Sequence, residues 1–106
     1  MEDCVFCKII KKEIPSETIK ETKNLIAIKD IHPQADIHIL IIPKNHTTDV
    51  NDLEDSVWTD IKKLGLELVK EKGITNFRMT TNAGGAAAVH HMHMHLLGEI
   101  TSDRKI

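Results

Sequence analysis

Four of the seven histidines in this 106-residue chain fall in one short stretch, AAAVHHMHMHLLGE (residues 86–99). His91, His93 and His95 stand at every second position, with Met92, Met94 and Leu96 filling the alternate ones. Side chains alternate across a β-strand at about 3.3 Å per residue, so the three imidazoles share one face at intervals of about 6.6 Å. The thioethers and the leucine gain nothing from water and must turn the other way, into a core. A neutral imidazole can attack phosphorus, move protons or bind a metal, and the strand alone does not choose between them. The preceding loop, NAGGAAA (82–88), has little side-chain bulk. Such a loop lets backbone N–H groups approach a ligand closely, as anion-binding loops do, which favours phosphate chemistry. A second group of reactive side chains is Cys4-x-x-Cys7. In a chain expected to be cytosolic, that spacing points to a metal or redox pair rather than a structural disulfide.

Several elements must position these groups. The opening DCVFCKIIKKEIPSE reads as a short helix or turn closed by basic residues and Pro15, with Val5, Phe6, Ile9 and Ile10 on its apolar side. It is a cap rather than a core helix. Two short strands, roughly 17–20 and 24–29, flank a polar turn and form a hairpin. DIHILIIP (36–43) is a nearly continuous apolar run that suits a central strand covered on both faces. Leu53, Val57, Ile61, Leu64 and Leu68 recur at spacings of three and four, the pattern of an amphipathic helix over 51–72. Asn51 or Asp52 can cap its start and Gly73 supplies a left-handed stop. NFRMTTN (76–82) is a further strand. The order predicts an α+β domain with an antiparallel sheet and its helices mostly on one side.

Composition narrows the function. A chain of 106 residues with 41% apolar content makes one domain, 1–106, whose small core would profit from a metal or a partner copy. The net charge of −2, with 14 basic residues spread among 16 acidic ones, gives no general attraction for nucleic acid. No stretch reaches the roughly 20 apolar residues of a membrane span, so a cytosolic protein is expected.

The segment His91-Met-His-Met-His-Leu-Leu97 resembles the alternating signature, His-φ-His-φ-His-φ-φ with φ apolar, of the histidine-triad (HIT) family of nucleotide hydrolases and transferases. FCKIIKKEIPSE, IKDIHPQADIHILIIPKNH, VND and HMHMHLLGE extend the likeness to its Hint branch over nearly the whole chain, from Cys4 to Glu99. The resemblance implies a HIT-like fold of five antiparallel strands in a meander with two helices, the sheet continuing across a homodimer. It implies a purine nucleoside phosphoramidase that hydrolyses adenosine 5′-phosphoramidate and related amine or aminoacyl adducts of AMP. In that reading His93 is the nucleophile and forms a nucleotidyl-histidine. His95 hydrogen-bonds the phosphate and helps the leaving group, while His38 backs the nucleophile and holds its tautomer. His91 completes the catalytic set. Asp30 receives the ribose hydroxyls, Phe6, Ile9 and Ile31 wall the base, and Asn82 lies near the phosphate. Some bacterial members hold a structural zinc, here implied at Cys4, Cys7, His46 and His91.

The chain departs from the family pattern in one place that matters. Ala86, Ala87 and Ala88 stand where a Gly-Gln-Ser or similar tripeptide usually serves the phosphate and leaving group, and the loop from Asn82 to His91 is about two residues shorter. Slower turnover or an altered leaving-group preference is expected. His90 replaces a usual aromatic residue, and the sequence ends at GEITSDRKI without the Trp/Pro-containing tail of many members. Three other readings compete: a purine nucleotide-binding regulatory module with weak catalysis, a dinucleoside polyphosphate hydrolase, and a zinc-held interaction domain.

Overall fold

The computed structural model describes residues 4–103. Cys4 caps the first helix, α1 (Val5–Ile10), its sulfur accepting the Cys7 N–H at 3.3 Å. β1 (Thr18–Glu21) and β2 (Leu25–Lys29) form the expected hairpin, its turn closed by the Leu25 N–H donating to Thr22 Oγ1 at 3.0 Å. β3 (Ile37–Pro43) follows, buried from His38 onward. The long helix α2 (Asp55–Glu71) leads to β4 (Phe77–Thr80), and β5 (Met94–Gly98) is the last strand along the chain.

All neighbours are antiparallel and the spatial order is β1-β2-β3-β5-β4. The expected meander therefore holds only as far as β3. α2 carries the chain across to the far edge, and β5 returns between β4 and β3. That return gives the histidine strand two neighbours, and it sets Leu40 opposite His95 and Leu97 opposite His38. Gly98 permits the close pairing, because a Cβ there would lie 2.8 Å from the Ile37 Cβ.

The helices sit on opposite faces, not mostly on one. Ile61, Leu64 and Leu68 of α2 pack with Ile39, Ile41, Met92, Met94 and Leu96. Phe6 and Ile9 of α1 pack with Ile26, Ile28, Leu40 and Ile42. The reason is visible in β3, whose isoleucines and leucine are apolar on both sides, so each side of the sheet needs a cover. α1 is a cap with a buried apolar edge, although Val5 remains exposed.

Two details of α2 differ from expectation. Neither Asn51 nor Asp52 caps it: Leu53 is extended (ψ 131°) and separates a short 3₁₀ turn, Val50–Asp52, from the helix. Asp49 caps that turn in a reciprocal box with Asp52, while Glu54 at the start of α2 makes no side-chain cap bond. At the other end Gly73 has φ +63°, the left-handed stop its type predicts. Among the described residues no helix is long and apolar enough to cross a membrane.

Candidate active site and metal centre

Strand pairing begins only at Met94, yet the alternation runs back through the extended residues before it. Met92, Met94 and Leu96 are sealed in the α2-side core. His91, His93 and His95 face α1 and the far end of β3, where His91 is fully buried and His93 nearly so. Long-range bonds hold the unpaired approach in place of a ladder. The Met92 N–H donates to the Thr47 carbonyl at 2.6 Å, and Thr81 Oγ1 donates to the His93 carbonyl at 2.7 Å.

Each ring has a fixed partner, and the partners dictate the tautomers. His91 Nε2 lies 2.8 Å from the Pro43 carbonyl, which can only accept, so Nε2 carries the proton and Nδ1 is bare. His93 Nδ1 lies 2.8 Å from the His91 carbonyl, so its Nδ1 is protonated and Nε2 holds the lone pair. His38 Nδ1 accepts the Gln34 backbone N–H at 3.1 Å. The proton of His38 is thus on Nε2, which donates to His95 Nδ1 at 2.8 Å and leaves His95 with Nε2–H. His93 and His95 consequently present opposite Nε2 atoms, one a bare lone pair and one a donor, on rings 5.0 Å apart. Burial, reinforced by His93 and His38, holds His95 down to about 4, so it is neutral at physiological pH.

The structure reassigns one role. His38 was expected to back the nucleophile; the ring it holds is that of His95, and the tautomer of His93 is set by the His91 carbonyl. Asp30 lies beside this pair, its Oδ2 3.3 Å from His38 Nε2 and its Oδ1 accepting the His32 N–H at 2.8 Å. Phe6 stands edge-on to His93 with ring centroids 5.0 Å apart, and Ile9 is buried next to it in the same cluster. Ile31 is not brought into that cluster; it is 83% exposed on the loop after Asp30. Asp30 and Ile31 border a cavity of about 660 Å³, which also meets Ile19, Ile37 and Lys72 and not Phe6, Ile9 or His93.

The small-residue loop is less open to a ligand than its composition suggests. Gly84, with φ +59°, gives its N–H to the buried Asp49 carboxylate at 3.2 Å. The Ala86 and Ala87 N–H groups bond to Ala83 and Gly84 within the 3₁₀ turn Gly84–Ala86. Three of the amides expected to face an anion are therefore engaged. Asn82 and Ala88 are exposed on either side of the turn. Backbone bonds from Asn51 and Gly84 lower the pKa of Asp49, keeping this tether ionised. No sequence signal marks Asp49, Thr47, Thr81 or Gln34, since each acts through a long-range or backbone bond.

The bare Nδ1 of His91 points to the cysteines. It lies 3.2 Å from Cys4 Sγ and 3.5 Å from Cys7 Sγ, and His46 Nδ1 is 3.3 Å from Cys7 Sγ. All four donor atoms lie within 4.8 Å of one another. A tetrahedral zinc with Zn–S near 2.3 Å and Zn–N near 2.0 Å sets sulfur and nitrogen about 3.5 Å apart, so the cluster fits that ion. Burial and the adjacent Cys4 push the Cys7 thiol up, the state a bound cation would reverse. Asp30, His38 and His95 also converge, but the 2.8 Å between the imidazole nitrogens is a hydrogen bond, shorter than the about 3.3 Å that separates two nitrogen ligands of a tetrahedral zinc.

An alternating run of imidazoles in fixed tautomers, mounted on a five-stranded antiparallel sheet, defines a class of protein. The chain belongs to the histidine-triad family. Residues 3–105 match the family model described as scavenger mRNA decapping enzyme C-term binding. The relatives place it in the Hint branch. It is 42% identical over 96 residues to adenosine 5′-monophosphoramidase HNT1 of Saccharomyces cerevisiae, covering 89% of this chain and 61% of that protein. It is 38% identical over 104 residues to the purine nucleoside phosphoramidase of Escherichia coli, covering 92% and 87%. Among solved structures, a HIT family hydrolase from Clostridium thermocellum superposes with a TM-score of 0.90 at 44% identity, over 100% of this chain and 98% of that one. A zinc-bound histidine triad family protein from Mycobacterium smegmatis gives 0.86 at 29%, over 97% and 79%.

Proposed function

We propose that the chain, as one domain, is a nucleotide phosphoramidate hydrolase acting on AMP-amine adducts. The observation that carries this reading is the opposed protonation of His93 and His95 at Nε2. In the reaction His93 Nε2 attacks the α-phosphorus and the P–N bond to the amine breaks. The amine leaves with a proton from solvent, and a nucleotidyl-histidine remains. The imidazolium formed keeps its Nδ1–H on the His91 carbonyl, which disperses the new charge. His95 keeps its Nε2–H and hydrogen-bonds the phosphate oxygen with it, steadying the charge there as the amine departs. Water then adds to phosphorus, releases AMP and a proton, and restores His93. Asp30 receives the ribose hydroxyls, whose two donors suit a carboxylate, and Phe6 and Ile9 flank the nucleoside from α1.

Zinc at Cys4, Cys7, His46 and His91 would pin α1 to the sheet and supply stability rather than Lewis-acid chemistry. The zinc-bound relative and the fit of the donor atoms support it. A homodimer in the cytosol, with the two sheets joined, accords with the small core and the family pattern. The second reading, a nucleotide-binding module with weak catalysis, draws support from Ala86, Ala87 and Ala88 and their internally bonded amides.

The test is amine release from adenosine 5′-phosphoramidate by the wild type and His93→Ala. Loss of turnover on the order of 10⁴-fold, with an acid-quenched nucleotidyl adduct only in the wild type, is expected. Binding of AMP without amine release by the wild type would establish the second reading.

A further inference from the structure

The His38 Nε2–H has one acceptor and one close negative charge. His95 Nδ1 takes it at 2.8 Å, and the Asp30 Oδ2 stands 3.3 Å from the same nitrogen. On the other side of the ring, the Gln34 N–H occupies Nδ1 at 3.1 Å. Every proton-bearing position of His38 is thus spoken for, and the one negative charge in the group is that of Asp30. Asp30 is itself held in orientation, because its Oδ1 accepts the His32 N–H. The His38 side chain is almost entirely buried and that of Asp30 is mostly so, at 3% and 18% exposure, where a carboxylate acts on an adjacent N–H with little screening by water.

We infer that Asp30 is a positioning residue for His95, acting through His38, in addition to any contact it makes with ribose. This inference rests on the phosphoramidase reading. A carboxylate beside His38 Nε2 holds the proton on that nitrogen and polarises it. The donor bond to His95 Nδ1 is then maintained, and with it the tautomer that aims Nε2–H at the phosphate. The ribose role and the relay role use the same side chain, so substitution alone cannot separate them. Removing the hydroxyls from the substrate can.

The experiment compares wild type and Asp30→Asn on adenosine 5′-phosphoramidate and on its 2′,3′-dideoxy analogue. Asparagine keeps an oxygen for the His32 N–H and removes the charge, so the loop fold is retained. A residue that only grips ribose would leave the two proteins equal on the dideoxy substrate. The relay predicts that Asp30→Asn still lowers kcat on it about tenfold, the size of a lost charge-assisted hydrogen bond. In a His38→Gln background the same substitution should change kcat less than twofold. A second measurement is independent of turnover: ¹⁵N ring resonances of His38 and His95 should move in Asp30→Asn while those of His91 and His93 stay. Equal kcat values on the dideoxy substrate, or unmoved His38 and His95 resonances, overturn the inference. If the wild type hydrolyses neither substrate, the phosphoramidase reading fails and the ring resonances decide the role of Asp30.

Discussion

His93 donates its Nδ1–H to the carbonyl oxygen of His91, 2.8 Å away, while the His91 ring bonds Pro43 on one side and faces Cys4 and Cys7 on the other. The orientation of the proposed nucleophile thus depends on a residue anchored in the cysteine cluster. Phe6, set between the two cysteines in sequence, touches His93 from the same cluster.

This link predicts what metal removal does. Protein purified without chelator should contain one zinc per chain by elemental analysis. Cys7→Ser should lose it, lower Tm by several degrees and raise KM, because α1 carries Phe6 and Ile9. Zinc-free wild-type protein with unchanged Tm after chelator would eliminate the metal.

The acid limb of the pH profile follows from His95, whose pKa is pulled from 6.5 to about 4, chiefly by burial. The unfolded chain binds this proton first, so stability is full above the unfolded value and declines as pH falls from about 6.5 towards about 4. Protonation also removes the Nδ1 lone pair that accepts from His38. The ring resonances of His95, followed by NMR against pH, should titrate with a midpoint near 4; a midpoint at 6.5 would contradict the burial of this ring.

Thr81 clamps the His93 carbonyl with a 2.7 Å bond in a segment that has no strand partner. Thr81→Val keeps the shape and deletes the donor. Chemical denaturation should show a loss of about 1 kcal/mol, and kcat should fall while KM changes little.

Ala88→Ser addresses the missing tripeptide. Ala88 is exposed at the exit of the loop, and a hydroxyl there adds a donor where three backbone amides are already engaged. A several-fold gain in amine release is expected from steady-state rates. No gain would mean that the shortened loop keeps position 88 away from the phosphate.

Much of this protein is written locally. The period-two run from His91 to Leu96 assigns imidazoles to one face and thioethers to the other, because pleating depends only on chain geometry. The stripe from Ile61 to Leu68 and the β-branched run of β3 specify a helix and a doubly covered strand for similar reasons. What the chain could not reveal by itself was which atoms those faces meet. The return of β5 between β3 and β4, the placement of α1 opposite α2, and the shift of His38 from His93 to His95 all arise from contacts between residues far apart in sequence. The protonation of each ring is decided the same way, by carbonyls of Pro43 and His91 and the amide of Gln34. Backbone groups carry no residue-specific mark, so a sequence can name the histidines, and only the folded chain can say which nitrogen of each one bears the proton.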